Sequence, residues 1–172
     1  MLRLFASGVL VATSFLPAAA ALPGGANELH ETYQDWQVNC ISDDKGDQCV
    51  MSQRQVDSAS GDTVFSVELI AGEDGGLLGL IVMPFGLAVA EPLFLSLDEK
   101  AAEQQLEFST CLPRGCLVEI NLDREIVDGM KSGSSLTVTG AVANSDKKVP
   151  FAASLQGFSA AFKRLNDLAE VE

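Results

Sequence analysis

Short apolar segments with period-two alternation recur along most of this chain, separated by turn residues, and that pattern predicts strands. In YQDWQVNC, Trp36, Val38 and Cys40 alternate with Gln37 and Asn39. The acidic stretch SDDKGD then leads to Cys49 and Met51, so a hairpin with Gly46 in its turn is expected. Residues 63–71 (TVFSVELIA) put Phe65, Val67 and Leu69 on one face. After a GEDGG turn, residues 77–83 (LLGLIVM) are almost wholly apolar, as in a strand buried on both faces or set at the centre of a sheet. Further strands are predicted in PLFLSLD and at residues 105–110, 116–122, 134–142 and 148–155.

Helix signals are sparse. Residues 123–131 predict a short helix capped by Asp123 and stopped near Gly133. From Gly157 onward, Phe158, Ala161, Phe162, Leu165 and Leu168 form one apolar stripe, which predicts a helix lying on a sheet face or barrel end. Lys163, Arg164, Asn166 and Asp167 make its solvated side. The expected fold is mainly β: an antiparallel β-sandwich or partly open barrel with the short helix and a C-terminal amphipathic helix.

The first residues change the picture by fixing the compartment. Arg3, the apolar run LFASGVLVATSFL (residues 4–16), Pro17 and an alanine cluster read as a secretory signal peptide over residues 1–21, cut after Ala20 or Ala21. The run is too short for a bilayer span of about 20 residues. Residues 22–32, with Pro23, Gly24 and Gly25, are expected to be a flexible segment, and residues 33–172 a single domain. The formal charge is −13, and losing Arg3 leaves ten basic residues against 24 acidic ones, or −14. That balance argues against nucleic acid or anionic lipid as the main partner.

Export places Cys40, Cys49, Cys111 and Cys116 in an oxidising compartment, where two disulfides are expected. Four cysteines allow three connectivities, and loop closure favours the two local bonds, Cys40 with Cys49 and Cys111 with Cys116. Within CLPRGC, a direct Cys111–Cys116 pairing sets Ser109 opposite Val118 and so mismatches the apolar faces. Pairing Leu112 with Cys116 aligns them, leaves the loop Pro113, Arg114, Gly115, and requires a bulge beside Gly115.

Candidate chemistry is thin. The single histidine, His30, falls in the expected tail, where it cannot hold the geometry of a general base. The cysteine pairs lack zinc-knuckle spacing and the two-residue spacing of a redox dithiol. Asp43, Asp44 and Asp47 lack the ligand spacing of a calcium loop, and the glycines at 72, 75, 76 and 79 lack the Lys and Ser or Thr of a phosphate loop. Strand carboxylates Glu68, Glu107 and Glu119 leave open an envelope hydrolase, and an apolar barrel cavity would make a small-ligand or lipid carrier. No metal, cofactor or catalytic residue is assigned.

DWQVNC, the second cysteine followed by VMSQ, the MPFG turn, CLPRGC, and SLQGF before the last helix occur in that order. Together they resemble the invasion-associated locus B family of Gram-negative envelope proteins. Ala90, Glu91 and Pro92 depart from the Gly-Val that members often carry before the following strand, a difference confined to a loop. The resemblance implies an exported, periplasmic or outer-membrane-associated protein without assigned enzymatic activity, linked in a pathogen member to host-cell invasion. The expected role is a non-catalytic adaptor for an envelope protein or surface component, with peripheral outer-membrane association as one location. Its candidate contact surface is Pro113 and Arg114 at the stapled hairpin with Phe85 of the MPFG loop, since arginine and aromatic residues are enriched in interface hot spots.

Overall fold

Alternation along the first long apolar segment produces a hairpin whose inward side chains, Trp36, Val38, Cys40 and Met51, are all fully buried. In a computed structural model of the protein, residues 22–169 are described except 45, 57, 60, 62 and 99–103. The expected signal peptide, residues 1–21, therefore lies outside the described residues. The strands are β1 (Glu28–Tyr33), β2 (Trp36–Asp43), β3 (Gly46–Val56), β4 (Thr63–Ala71), β5 (Leu77–Met83) and β6 (Leu93–Leu97). They continue as β7 (Gln104–Leu106), β8 (Thr110–Leu112), β9 (Gly115–Leu122), β10 (Ser135–Ala141) and β11 (Lys148–Ser154). Helix α1 (Arg124–Ser132) follows β9 and α2 (Phe158–Ala169) follows β11.

Two open antiparallel sheets result, ordered β1-β2-β3-β4-β5-β9-β8 and β11-β10-β6-β7. Their inward residues, among them Phe65, Val67, Ile81 and Val118 from the first and Leu95, Leu136 and Val138 from the second, belong to one buried cluster. Sheet packing of this kind buries one face of each layer. The outward face of the larger sheet is exposed at Ile41, Ile70 and Leu78. For that reason β5 is not buried on both faces: it sits between β4 and β9, yet Leu78 is 42% exposed.

Side-chain amides tie the second sheet to the first. Gln53 on β3 donates from Nε2 to the Ser154 carbonyl at 2.8 Å and accepts from the Ser154 amide at 2.9 Å, imitating a neighbouring strand along the open edge of β11. Trp36 Nε1 donates to the same carbonyl at 2.8 Å. Both polar groups are buried and paired, as burial requires. The Asp123 side chain caps α1 by accepting from the Ile126 amide, and α2 buries Phe158, Ala161, Leu165 and Leu168 as its stripe predicts.

Residues 22–32 correct an expectation. They are not a loose tail: Leu22 is buried, and β1 pairs along its whole length with β2. Pro and Gly occur only in the single 3-10 turn Pro23–Gly25 that precedes the strand. His30 is consequently on β1, its ring nitrogen 2.7 Å from Asn39 Oδ1, rather than beyond the first strand.

Glu31 on β1 also receives two hydrogen bonds from the Arg164 guanidinium on α2, at 2.7 and 3.0 Å. That contact is the main cause that lowers the Glu31 pKa from its ordinary value of 4.5, and the Tyr33 hydroxyl adds to it. A lowered folded-state pKa contributes stability that is present above the unfolded value and lost as pH falls through the folded one. Arg164→Gln is expected to reduce stability by up to about 1 kcal/mol at pH 7. Urea midpoints should show that gap closing below about pH 4.5; an equal gap at pH 3 would exclude the ion pair as its source.

Candidate functional site

Both cysteine pairs form disulfides, Cys40–Cys49 between β2 and β3 and Cys111–Cys116 between β8 and β9. The second hairpin corrects the expected register. Cys111 lies directly opposite Cys116 and Leu112 opposite Gly115, so Pro113 and Arg114 alone form the turn and no bulge sits beside Gly115. The mismatch of apolar faces does not arise because residues 105–110 are not one strand. Leu106 belongs to β7 in the smaller sheet, the chain crosses over at residues 107–109, and β8 is only three residues long.

Gly115 does have a special role, through space rather than a bulge. Its φ is +141°, and a Cβ there would lie 2.6 Å from the Met83 carbonyl oxygen and 2.7 Å from Val82 Cγ1. Only glycine lets the hairpin tip approach the end of β5 so closely. The tip therefore lies beside the loop that continues β5 into Pro84, Phe85 and Gly86.

That loop is held at both ends. Met83 and Leu87 are buried, Leu87 bridges to Val142, and the Ala143 amide donates to the Gly86 carbonyl at 2.9 Å. Phe85 between them is 63% exposed. The structure thus brings Phe85, Pro113 and Arg114 around one open groove of about 540 Å³, with Thr63, Val64 and Pro84 also lining it.

Next to the groove, on the outward face of the larger sheet, lies a smaller recess of about 70 Å³ lined by Arg54, Thr63, Ser66, Glu68, Val82 and Arg114. Arg54 and Ser66 are cross-strand partners, and Thr63 and Arg114 border both cavities. Sequence reasoning missed Arg54, Thr63 and Ser66. In SQRQV the arginine occupies an ordinary outward strand position, and only the β3–β4 register brings it to the hairpin tip.

The candidate carboxylates are not gathered into a cleft. Glu68 and Glu119 are exposed on the outward face, on either side of Leu80 in the ladder, while Glu107 is in the crossover. A cleft of about 600 Å³ between α1 and α2 contains several cations, but they have partners beside them. Arg124 and Lys131 pair with Asp128, and Lys163 pairs with Asp167.

The order and packing of these elements have counterparts. A crystal structure of invasion-associated protein B from Bartonella henselae superposes with a TM-score of 0.74 at 30% identity, covering 83% of this chain and 97% of that one. An Invasion protein B homolog of Brucella abortus is 42% identical over 152 residues, covering 88% of this chain and 87% of the relative. Invasion protein B of Bartonella bacilliformis is 32% identical over 154 residues, covering 88% and 82%. The sequence family described as Invasion associated locus B (IalB) protein matches residues 36–166, from the tryptophan of β2 almost to the end of α2. The chain belongs to the invasion-associated locus B family.

Proposed function

We propose that the protein is exported and acts in the periplasm or at the outer membrane as a non-catalytic binding protein. Its contact surface is the groove between the Phe85 loop and the Pro113–Arg114 hairpin tip. One observation carries the reading: an aromatic side chain 63% exposed on an anchored loop shares a groove with an arginine that makes no ion pair among the described residues. Solvent-exposed aromatic and arginine side chains on preorganised loops are typical binding anchors. Two disulfides suit an oxidising compartment, and the apolar run at residues 4–16 suits export. Names of the relatives direct the search for a partner to host-cell invasion.

The test is a pull-down from envelope extract with the mature chain as wild type, Arg114→Glu and Phe85→Ser. Each variant is expected to lose at least tenfold of the recovered partner while keeping the wild-type circular dichroism spectrum. The same partners at the same yield with both variants would remove the groove from consideration.

A further inference from the structure

We infer that the recess beside the groove is an oxyanion subsite, built to take a carboxylate from an extended protein segment whose apolar neighbours lie in the groove. The inference rests on the binding reading above and names the chemistry of its partner.

Charge carries it. The chain has 11 basic and 24 acidic residues, so its cations would be expected to sit beside carboxylates. Among the described residues Arg124 and Arg164 do, at 3.7 and 2.7 Å. Among the same residues Arg54 and Arg114 make no ion pair, and both line the same recess. Among the described residues that line it, Glu68 is the one carboxylate beside the two guanidinium groups, a cation excess of one in an otherwise acidic protein. Two guanidinium groups with the hydroxyls of Thr63 and Ser66 supply the fork-like donors that a carboxylate accepts. Ser66 is only 4% exposed, so its hydroxyl lies at the base of the recess. The volume of about 70 Å³ has room for a group of carboxylate size.

The surroundings choose the source. Pro84, Phe85 and Pro113 give the adjoining groove apolar walls, and its volume of about 540 Å³ has room for the side chains on either side of a carboxylate. The Pro113–Arg114 tip that lines it leads from β8, the last strand in the order of the larger sheet, where an extended segment can add backbone hydrogen bonds. An anionic bilayer has the phosphate but is repelled by a chain of net charge −13. A single carboxylate between apolar side chains meets the local positive charge without bringing a charged surface with it.

The probes are the tripeptides acetyl-Leu-Asp-Leu-amide and acetyl-Leu-Asn-Leu-amide, with inorganic phosphate and phosphatidylglycerol vesicles as separate arms. Binding is read from amide and Arg Nε resonances of the ¹⁵N-labelled, disulfide-bonded mature protein at low ionic strength. The Asp peptide is expected to move the signals of Arg54, Arg114, Thr63 and Gly115, and to bind at least tenfold more tightly than the Asn peptide. Arg54→Gln should cancel that preference and leave resonances far from the groove in place. Equal binding of both peptides at the groove overturns the oxyanion subsite but keeps the contact surface. Phosphate or vesicles engaging both arginines while the Asp peptide does not would overturn the carboxylate assignment. Absence of any shift at Phe85, Arg114 and Gly115 with every probe overturns the subsite, and an unchanged pull-down with both Arg114→Glu and Phe85→Ser removes the groove itself.

Discussion

Trp36→Ala is expected to cost about 3–5 kcal/mol, a large share of the 5–15 kcal/mol that holds a domain of this size. The indole is fully buried at the start of β2, its ring meets Phe158 of α2 edge-on at 5.4 Å between centroids, and its Nε1 donates to the Ser154 carbonyl on β11. One side chain thus joins the larger sheet, the smaller sheet and the C-terminal helix. Truncation leaves a cavity that no single element can close, because three different elements line it. Trp36→Phe separates the contributions. It retains most of the apolar volume and removes the donor, yet Ser154 still receives Gln53 Nε2, so a loss near 1 kcal/mol is expected from the hydrogen bond, plus the cost of imperfect fit. Urea unfolding of the oxidised protein measures both. Similar midpoints for the Ala and Phe variants would contradict this account of the tryptophan.

Much of this fold was legible because one face of nearly every strand is buried. Thr63–Ala71 begins and ends where the alternation does and Leu77–Met83 where the apolar run does, and α1 begins just after Asp123 because an N-cap acts locally. Failures came where the deciding interaction is long-range. The Pro and Gly residues before β1 signal a break, and nothing local shows that Glu31 will meet Arg164, 133 positions later. Residues 105–110 alternate well enough to read as one strand, but Leu106 pairs with β6 and Thr110 with β9, so two sheets share the segment. The hairpin register inherited that error.

The candidate site divides the same way. Phe85, Pro113 and Arg114 are marked by turn residues and a disulfide, which are local signals, and the structure sets them around one groove. Arg54 is 60 positions from Arg114 and is brought to it by strand order alone. A single alternating strand reports which residues face out, never which other strand they face beside.

Gly157→Ala is expected to cost about 2–4 kcal/mol, far more than one methyl group at an ordinary turn. Gly157 has φ of +85°, and an added Cβ would overlap the Tyr33 carbonyl oxygen, lie 2.7 Å from the Tyr33 carbonyl carbon and 3.1 Å from Gln34 Cβ. Both neighbours belong to the β1–β2 hairpin, whose Asp35 amide also donates to the Gln156 carbonyl. Since the obstacle is backbone rather than the end of a side chain, relief requires α2 to lift from the hairpin, which pulls Phe158 from Trp36. The motifs DWQ and QGF, at opposite ends of the domain, are therefore two halves of one contact. Gly24→Ala supplies the control: φ there is +76°, but nothing lies within 4 Å of the added Cβ, so only the backbone preference is lost, about 1 kcal/mol. A urea midpoint for Gly157→Ala no lower than that for Gly24→Ala would show that conformation alone, and not the approach of α2 to the hairpin, demands glycine in SLQGF.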